Sequence, residues 1–584
     1  MSLATQINTM TPLQRFFKLL QLDKKEISYI YLYAIFAGLI TLTLPLGIQA
    51  IIGLIIGGNV SSSWVLLIIV VTLGTLLNGV LKVMQLSVTE TIQQRIFTRS
   101  AFDIAYRFPR IKFEAVHTEF APELANRFFD TLTLQKGLPK ILMDFSTGLL
   151  QIFFGLLLLS FYHPLFIAFG LLLLLIVAII FRFTGPQGLK TSLVESKYKY
   201  KVAYWLEELA RTMGTFKLAG RSELPMKRTD KLVGGYLNAR KQHFRVLITQ
   251  YYSIVAFKVI VTAGLLVLGS LLVIDNRINI GQFVAAEIII ILVLASVEKL
   301  ILTMESIYDV LTALEKIGAL HDLPIDDEDG IPFEKLDSGK GMAVDLEGVS
   351  FKFPDAEKPT LNDINLSIVP GEKLCISGYN RAGKSTLLQI LTGIFSDFKG
   401  SLRFNNIPIR NIDGVSLRAH VGDHMPLQED IFQGTLMENI SLGHDKVGLE
   451  DVMFAVKQVG LMDFVNRLPD GYDTQLLPGG KNLPRSVVAK IILARSFASK
   501  PLLLAIEEPF QHLDYKEQVR LAGLLTDRNS PWTLVVVSND PMLASMCDRV
   551  VVMREGSIVE EGNFEKIKTC EHFRPVFEKP QMTF

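Results

Sequence analysis

At 584 residues with a formal net charge of only +1, the chain is long enough for several domains and too neutral for a nucleic-acid binder. About half of it is hydrophobic and the mean hydropathy is positive. The apolar residues are unevenly spread: the part up to about residue 303 holds nearly all the long runs, and the remainder reads as soluble α/β sequence.

In chain order, an N-terminal arm (1–26) carries Arg15, Lys18, Lys24 and Lys25. Its Leu19-Leu20 pair is followed at once by the charged Asp23 to Glu26, so a cleaved signal peptide is not expected. A bilayer-spanning helix needs roughly 20 mostly apolar residues. Six stretches qualify, near 27–57 (with Pro45 inside), 62–84, 142–162, 164–184, 252–274 and 280–302. Short connectors holding one basic residue, Arg277, alternate with long connectors near 88–140 and 185–250 that are rich in Lys and Arg. The positive-inside rule then places the N-terminus, both long connectors and the C-terminal half in the cytoplasm. Lys82 and Lys258 fall near the cytoplasmic ends of their spans, where snorkelling explains them. Glu287 lies about a third of the way into the sixth span. It reads either as a cavity or substrate residue, or as a structural or protonated group in a packed interface.

A transmembrane domain over 27–303 and a linker over 304–340 are followed by a soluble domain over 341–573 and a tail over 574–584. Within that domain a strand-like run, Glu372 to Ser377, leads into Gly378-Tyr379-Asn380-Arg381-Ala382-Gly383-Lys384-Ser385-Thr386, and a helical pattern follows. This fits the phosphate-binding loop G-x-x-x-x-G-K-[ST], in which backbone N–H groups and a helix N-terminus face a polyphosphate. Lys384 is expected to reach the terminal phosphates and the Ser385 hydroxyl to bind Mg²⁺. About 120 residues later the apolar run from Pro501 ends in Glu507 and Glu508. Acids at a strand end beside a phosphate loop suit metal and base roles. The cysteines, Cys375, Cys547 and Cys570, match no metal spacing and read as ordinary thiols.

Six apolar spans, a linker and a phosphate loop stand in one order with the segments Val349–Pro354, Val421–Ile440, Asn482–Arg495, Pro501–Pro509, Gln511–Asp514, Thr533–Asp540 and Val550–Gly562. From about residue 27 to 573 this resembles an ABC exporter half-transporter. The fold the resemblance implies is an α-helical polytopic membrane domain of six transmembrane helices, fused to an α/β P-loop NTPase cassette. It also implies ATP and Mg²⁺ as ligands and a set of site residues. Phe353 would stack on adenine. Arg381 stands where the family usually has a third glycine, and a positive φ there costs about 1–2 kcal/mol. The glutamine that contacts metal and membrane domain falls on Leu427, with Gln428 one residue late. Leu483, Pro484, Arg485, Ser486 and Val487 occupy the signature position, where Pro484 offers no N–H and Ser486 is the remaining hydroxyl. Glu507 replaces the metal-ordering aspartate, so that Ser385, Glu507 and Gln428 make up the implied metal set. Glu508 matches the general base, Asp514 the loop that communicates across a dimer, and Asn539 the switch histidine, which an amide cannot replace as acid or base.

Most of these departures touch hydrolysis rather than binding, and each lost preorganised donor commonly costs about 10²–10³ in rate. Slow or absent turnover by this chain alone is the expectation, and so is a partner: a second half-transporter in a hetero- or homodimer, within the lipid bilayer of an inner or plasma membrane. The stretch Leu44–Ala50 resembles exporters of the type I secretion group, which implies a peptide or protein cargo and a periplasmic adaptor. No peptidase segment is expected ahead of the helices, since residues 1–26 are short and lack cysteine. The long connectors are expected to end in short coupling helices, at Phe108–Phe113 and Tyr198–Trp205, with Glu208–Arg221 after the second. A non-transporting ATP-sensing scaffold and a lipid or drug flippase are the alternatives.

Overall fold

The computed structural model describes residues 10–56, 62–116, 121–326, 330–336, 340–354, 356–424 and 431–578. It divides into two units, Met1–Pro109 with Glu119–Leu323, and Arg110–Thr118 with Pro324–Phe584.

The first unit is built of helices. Among the described residues six are long and apolar enough to cross a membrane: Lys24–Ile56, Ser62–Arg110, Glu123–Tyr162, Pro164–Arg211, Leu224–Ile274 and Ile280–His321. Each contains most or all of one expected span. The fourth and fifth have 48 and 51 residues. At about 1.5 Å per residue they run on the order of 70 Å, more than twice a hydrocarbon core of about 30 Å. The long basic connectors are therefore largely helical continuations of the spans. The first span breaks at Leu42, between Lys24–Thr41 and Thr43–Ile56, and Pro45 sits in the first turn of the second piece. There its missing N–H costs no helical hydrogen bond. The third changes to a π-helical turn over Ile141–Phe145, just after Pro139.

Side chains between these helices are fitted closely. Gly188 faces the ring of Tyr308, and a Cβ there would lie 2.2 Å from Cζ. The Gln250 side-chain nitrogen donates to Tyr308 Oη at 2.8 Å and to Thr184 Oγ1 at 3.0 Å. One amide thus links three helices in a buried setting, where each satisfied polar group is worth more than in water. The Lys258 ammonium pairs with Glu298 at 2.6 Å. Lys82 is exposed, and Glu287 is half-buried.

The connector tips correct one expectation. In the first connector the chain turns through Phe108–Arg110 and forms a short helix, Phe113–Val116. In the second, Tyr198–Trp205 lies in the interior of the helix Pro164–Arg211. No glycine or proline interrupts residues 189–211, so the helix does not stop. The break comes at Thr212, and the short helix is Met213–Leu218, inside the stretch expected to follow it.

The second unit is α/β. Its strands are β1 Val344–Phe351, β2 Leu361–Ile368, β3 Lys373–Gly378, β4 Lys399–Phe404, β5 Ile407–Pro408, β6 Val421–His424, β7 Gly434–Thr435, β8 Gln475–Leu476, β9 Leu503–Glu507, β10 Thr533–Val537, β11 Arg549–Arg554 and β12 Ser557–Gly562. A six-stranded sheet runs β12-β11-β3-β10-β9-β6, parallel except for β12. An antiparallel sheet runs β2-β1-β4-β5. β3, β9 and β10 are nearly unbroken apolar runs because both faces of the parallel sheet are covered. Cys375 and Cys547 are buried in this unit and Cys570 is half-buried, all as free thiols. The short helix Phe113–Val116 packs here too: Glu114 Oε1 accepts from the backbone N–H of Ser396 at 2.5 Å and of Asp397 at 3.1 Å.

Candidate functional site

In an open parallel sheet, ligands bind outside the carboxyl ends of the strands. Here that edge gathers the ends of β3, β10 and β9, which are adjacent. β3 closes on Gly378 at φ +149°, where a Cβ would lie 2.3 Å from the Met553 carbonyl oxygen on β11. Only glycine fits so close to a neighbouring strand. The loop then passes Asn380 and Arg381, both exposed, and Ala382, which is buried. Arg381 adopts φ +61°, the left-handed conformation expected of a position that favours glycine. The helix Lys384–Leu391 begins directly after Gly383, and its first N–H groups have no partner within the helix. Loop and helix end together form an anion cradle.

The charged groups are arranged around this cradle. Lys384 Nζ donates to the carbonyls of Gly378 and Tyr379, each at 2.9 Å. Burial lowers its pKa, against the pull of Glu508 and Glu507. Ser385 Oγ donates to the Glu507 carboxylate, joining the loop to the end of β9. Glu508 follows at φ +47° and donates its backbone N–H to Val537 O at 2.9 Å. Burial first, and then the Glu507 charge, raise the Glu508 pKa. The two neighbouring acids are thus set apart: one is hydrogen-bonded to the loop serine, the other is biased toward holding a proton. A hydroxyl and a carboxylate oxygen side by side fit a hard divalent cation, which takes oxygen ligands and keeps several waters.

Asn539, just past β10, closes the constellation. Its Oδ1 accepts from Gly378 N and its Nδ2 donates to Gly378 O, both at 3.0 Å. Other expected site residues lie on separate elements. Phe353 meets Phe351 and Phe395 edge-on, with ring centroids 4.9 and 5.6 Å away. Asp514 caps the helix Tyr515–Leu525, its Oδ1 accepting from Glu517 N at 2.8 Å. Leu483 packs half-buried against the core, and Ser486 lies in the first turn of the helix Arg485–Ala498, which Pro484 precedes without a side-chain cap. Thr386 is buried. Gln428 and Leu427 lie outside the described residues. Sequence reasoning missed two contacts of the loop: the Asn539 pair, and Tyr379 Oη with His572 Nδ1 at 3.2 Å. They join positions 161 and 193 residues apart, and no local pattern marks either.

Two family models match the chain: the ABC transporter transmembrane region over residues 27–297 and the ABC transporter model over 361–511. A type I secretion system ATP-binding protein of Rhizobium meliloti is 28% identical over 53% of this chain and 53% of its own length. An ATP-dependent lipid A-core flippase of Chromobacterium violaceum is 27% identical over 44% of this chain and 43% of its own. The chain thus spans about half the length of the curated relatives it matches. The structure of a bacterial Atm1-family ABC exporter with ATP bound aligns with a TM-score of 0.78 at 17% identity, covering 93% of this chain and 96% of that one, a likeness of fold. With both models matched in order on one polypeptide, the chain belongs to the ABC transporter family and carries membrane region and cassette together, in the fold of an ABC exporter.

Proposed function

We propose that this chain is one half of an ATP-dependent exporter in the inner or plasma membrane, with its cassette in the cytoplasm. One observation carries the reading. Lys384, Ser385, Glu507 and Glu508 meet at one sheet edge, in a chain whose other unit is six membrane-length helices. Lys384 and the amides of Gly378–Thr386 would hold the phosphates, with Asn380 and Arg381 at the rim. Phe353 would meet the base, and Ser385 with Glu507 would hold a divalent cation. Bound ATP supplies the free energy for pairing two cassettes and turning the helices outward. Glu508, its pKa raised by burial and by the Glu507 charge, would accept a hydrogen bond from water and orient it.

Leu483, Pro484 and Arg485 in the signature position, and Asn539 in the switch position, support a cassette in which binding matters more than turnover. A partner cassette, with its signature against this loop, would complete the site, and a heterodimer gives one sound site where a homodimer gives none. The Rhizobium relative, a type I secretion system ATP-binding protein, supports a secretion role, for which we propose a peptide or protein cargo and a periplasmic adaptor. The Chromobacterium relative favours a flippase as the second reading. Vesicle transport of a peptide and of a labelled lipid, each with and without ATP, separates the two. Transport of neither, with ATP still bound, would leave the sensing scaffold.

A further inference from the structure

We infer that Asn539 is a positioning residue that latches the entrance of the phosphate loop in its binding shape before nucleotide arrives. This rests on the nucleotide-binding reading above and adds a role for a residue expected to act on phosphate.

Both polar atoms of the Asn539 amide are engaged, and both with one residue. Oδ1 takes the Gly378 N–H and Nδ2 gives to the Gly378 carbonyl, at 3.0 Å each, so the amide brackets the glycine on which the chain leaves β3. Gly378 O also receives the Lys384 ammonium at 2.9 Å. The latch and the phosphate-binding lysine therefore share one carbonyl. Gly378 stands at φ +149°, which glycine alone occupies readily, and glycine is also the residue that loses most freedom on ordering. A loop that starts on such a residue needs external bonds to stay in one shape. Asn539 supplies them from the end of β10, which is hydrogen-bonded to β3 along its length.

The geometry suits an amide and no other side chain of similar size. A carboxamide presents an acceptor and a donor on the same side, matching the N–H and C=O of one residue. The two nitrogens of an imidazole diverge, so histidine satisfies one of the two. An aspartate keeps the acceptor, loses the donor, and sets a charge against the Gly378 carbonyl. Asn539 is half-buried, so the bonds are partly shielded from water.

The test uses the full-length chain in detergent or nanodiscs, with fluorescent ATP as probe and hydrogen exchange of the nucleotide-free protein as second readout. Asn539→Ala is expected to weaken nucleotide binding about tenfold, the loss of two modest hydrogen bonds. It should also speed exchange of the Gly378 amide by about tenfold or more with no nucleotide present. Asn539→Asp, nearly isosteric, should weaken binding at least as much while keeping Gly378 protected. That outcome distinguishes the two halves of the latch and holds even if the alanine variant fails to fold. Unchanged affinity in both variants would overturn the latch. Weaker affinity with unaltered Gly378 exchange in Asn539→Ala would overturn it too, because the amide would then act on the ligand itself. Absence of binding by the unaltered chain would instead sink the nucleotide-binding reading.

Discussion

Lys384 and Glu508 lie close enough for each charge to act on the other, and burial shifts them in opposite directions: it disfavours the charged form of each, lowering the lysine and raising the acid. The folded protein holds the Glu508 proton to a higher pH than the unfolded chain, so this group's contribution to stability falls as pH rises above the ordinary value of 4.5. Glu508→Gln removes the buried charge and its repulsion from Glu507. The variant should melt higher than the parent at pH 7, with the gain fading toward pH 4, as a pH series of thermal unfolding curves will measure. Lys384→Ala should weaken fluorescent ATP binding roughly 10- to 100-fold, the range for a hydrogen bond made by a charged group. Residues were the most legible level. Gly378 to Thr386 and the Glu507-Glu508 pair declare their chemistry by type and spacing, because a phosphate cradle is a local backbone device. The Asn539 amide, which the resemblance sets at the switch position, also brackets Gly378, 161 positions away, a contact that the pairing of β10 with β3 arranges.

At the scale of elements, helix packing sets what can change. Gly188→Ala places a methyl 2.2 Å from the Tyr308 ring, on a helix face that cannot retreat without disturbing the Gln250 bonds. Overpacking of this kind costs about 1–3 kcal/mol. A lowered melting midpoint of the membrane unit, with ATP affinity unchanged, is expected in nanodiscs. Glu114 ties the short helix Phe113–Val116 to the backbone N–H groups of Ser396 and Asp397. Glu114→Ala should keep nucleotide affinity within about twofold and lose most ATP-dependent transport, since a charge-assisted double contact is replaced by none. Equal transport by the variant would remove Glu114 from the coupling path. Element type was legible from apolar run length. The second connector was misplaced: Tyr198–Trp205 is rich in aromatic and basic residues, yet nothing in it ends a helix, and the turn falls at Thr212 beside Gly214.

For the whole molecule, the decisive measurement is turnover by the purified chain alone. On the proposed reading that Leu483–Val487 and Asn539 stand in the signature and switch positions, hydrolysis should lie about 10²–10³ below that of a chain with intact motifs assayed alongside, and co-purification from native membranes should bring a second cassette subunit. Robust turnover by the isolated chain would refute the impaired-site reading. Run length and the order of motifs by themselves determined that, among the described residues, six helices long and apolar enough to cross a membrane precede a phosphate-loop domain. Those properties follow from bilayer thickness and backbone geometry, which act on contiguous residues. The tertiary structure decided which distant groups meet: Lys258 with Glu298, Gln250 with Tyr308, Asn539 with Gly378. Such pairs depend on helix rotation and strand register, and those are fixed by packing across the fold and not by any local pattern.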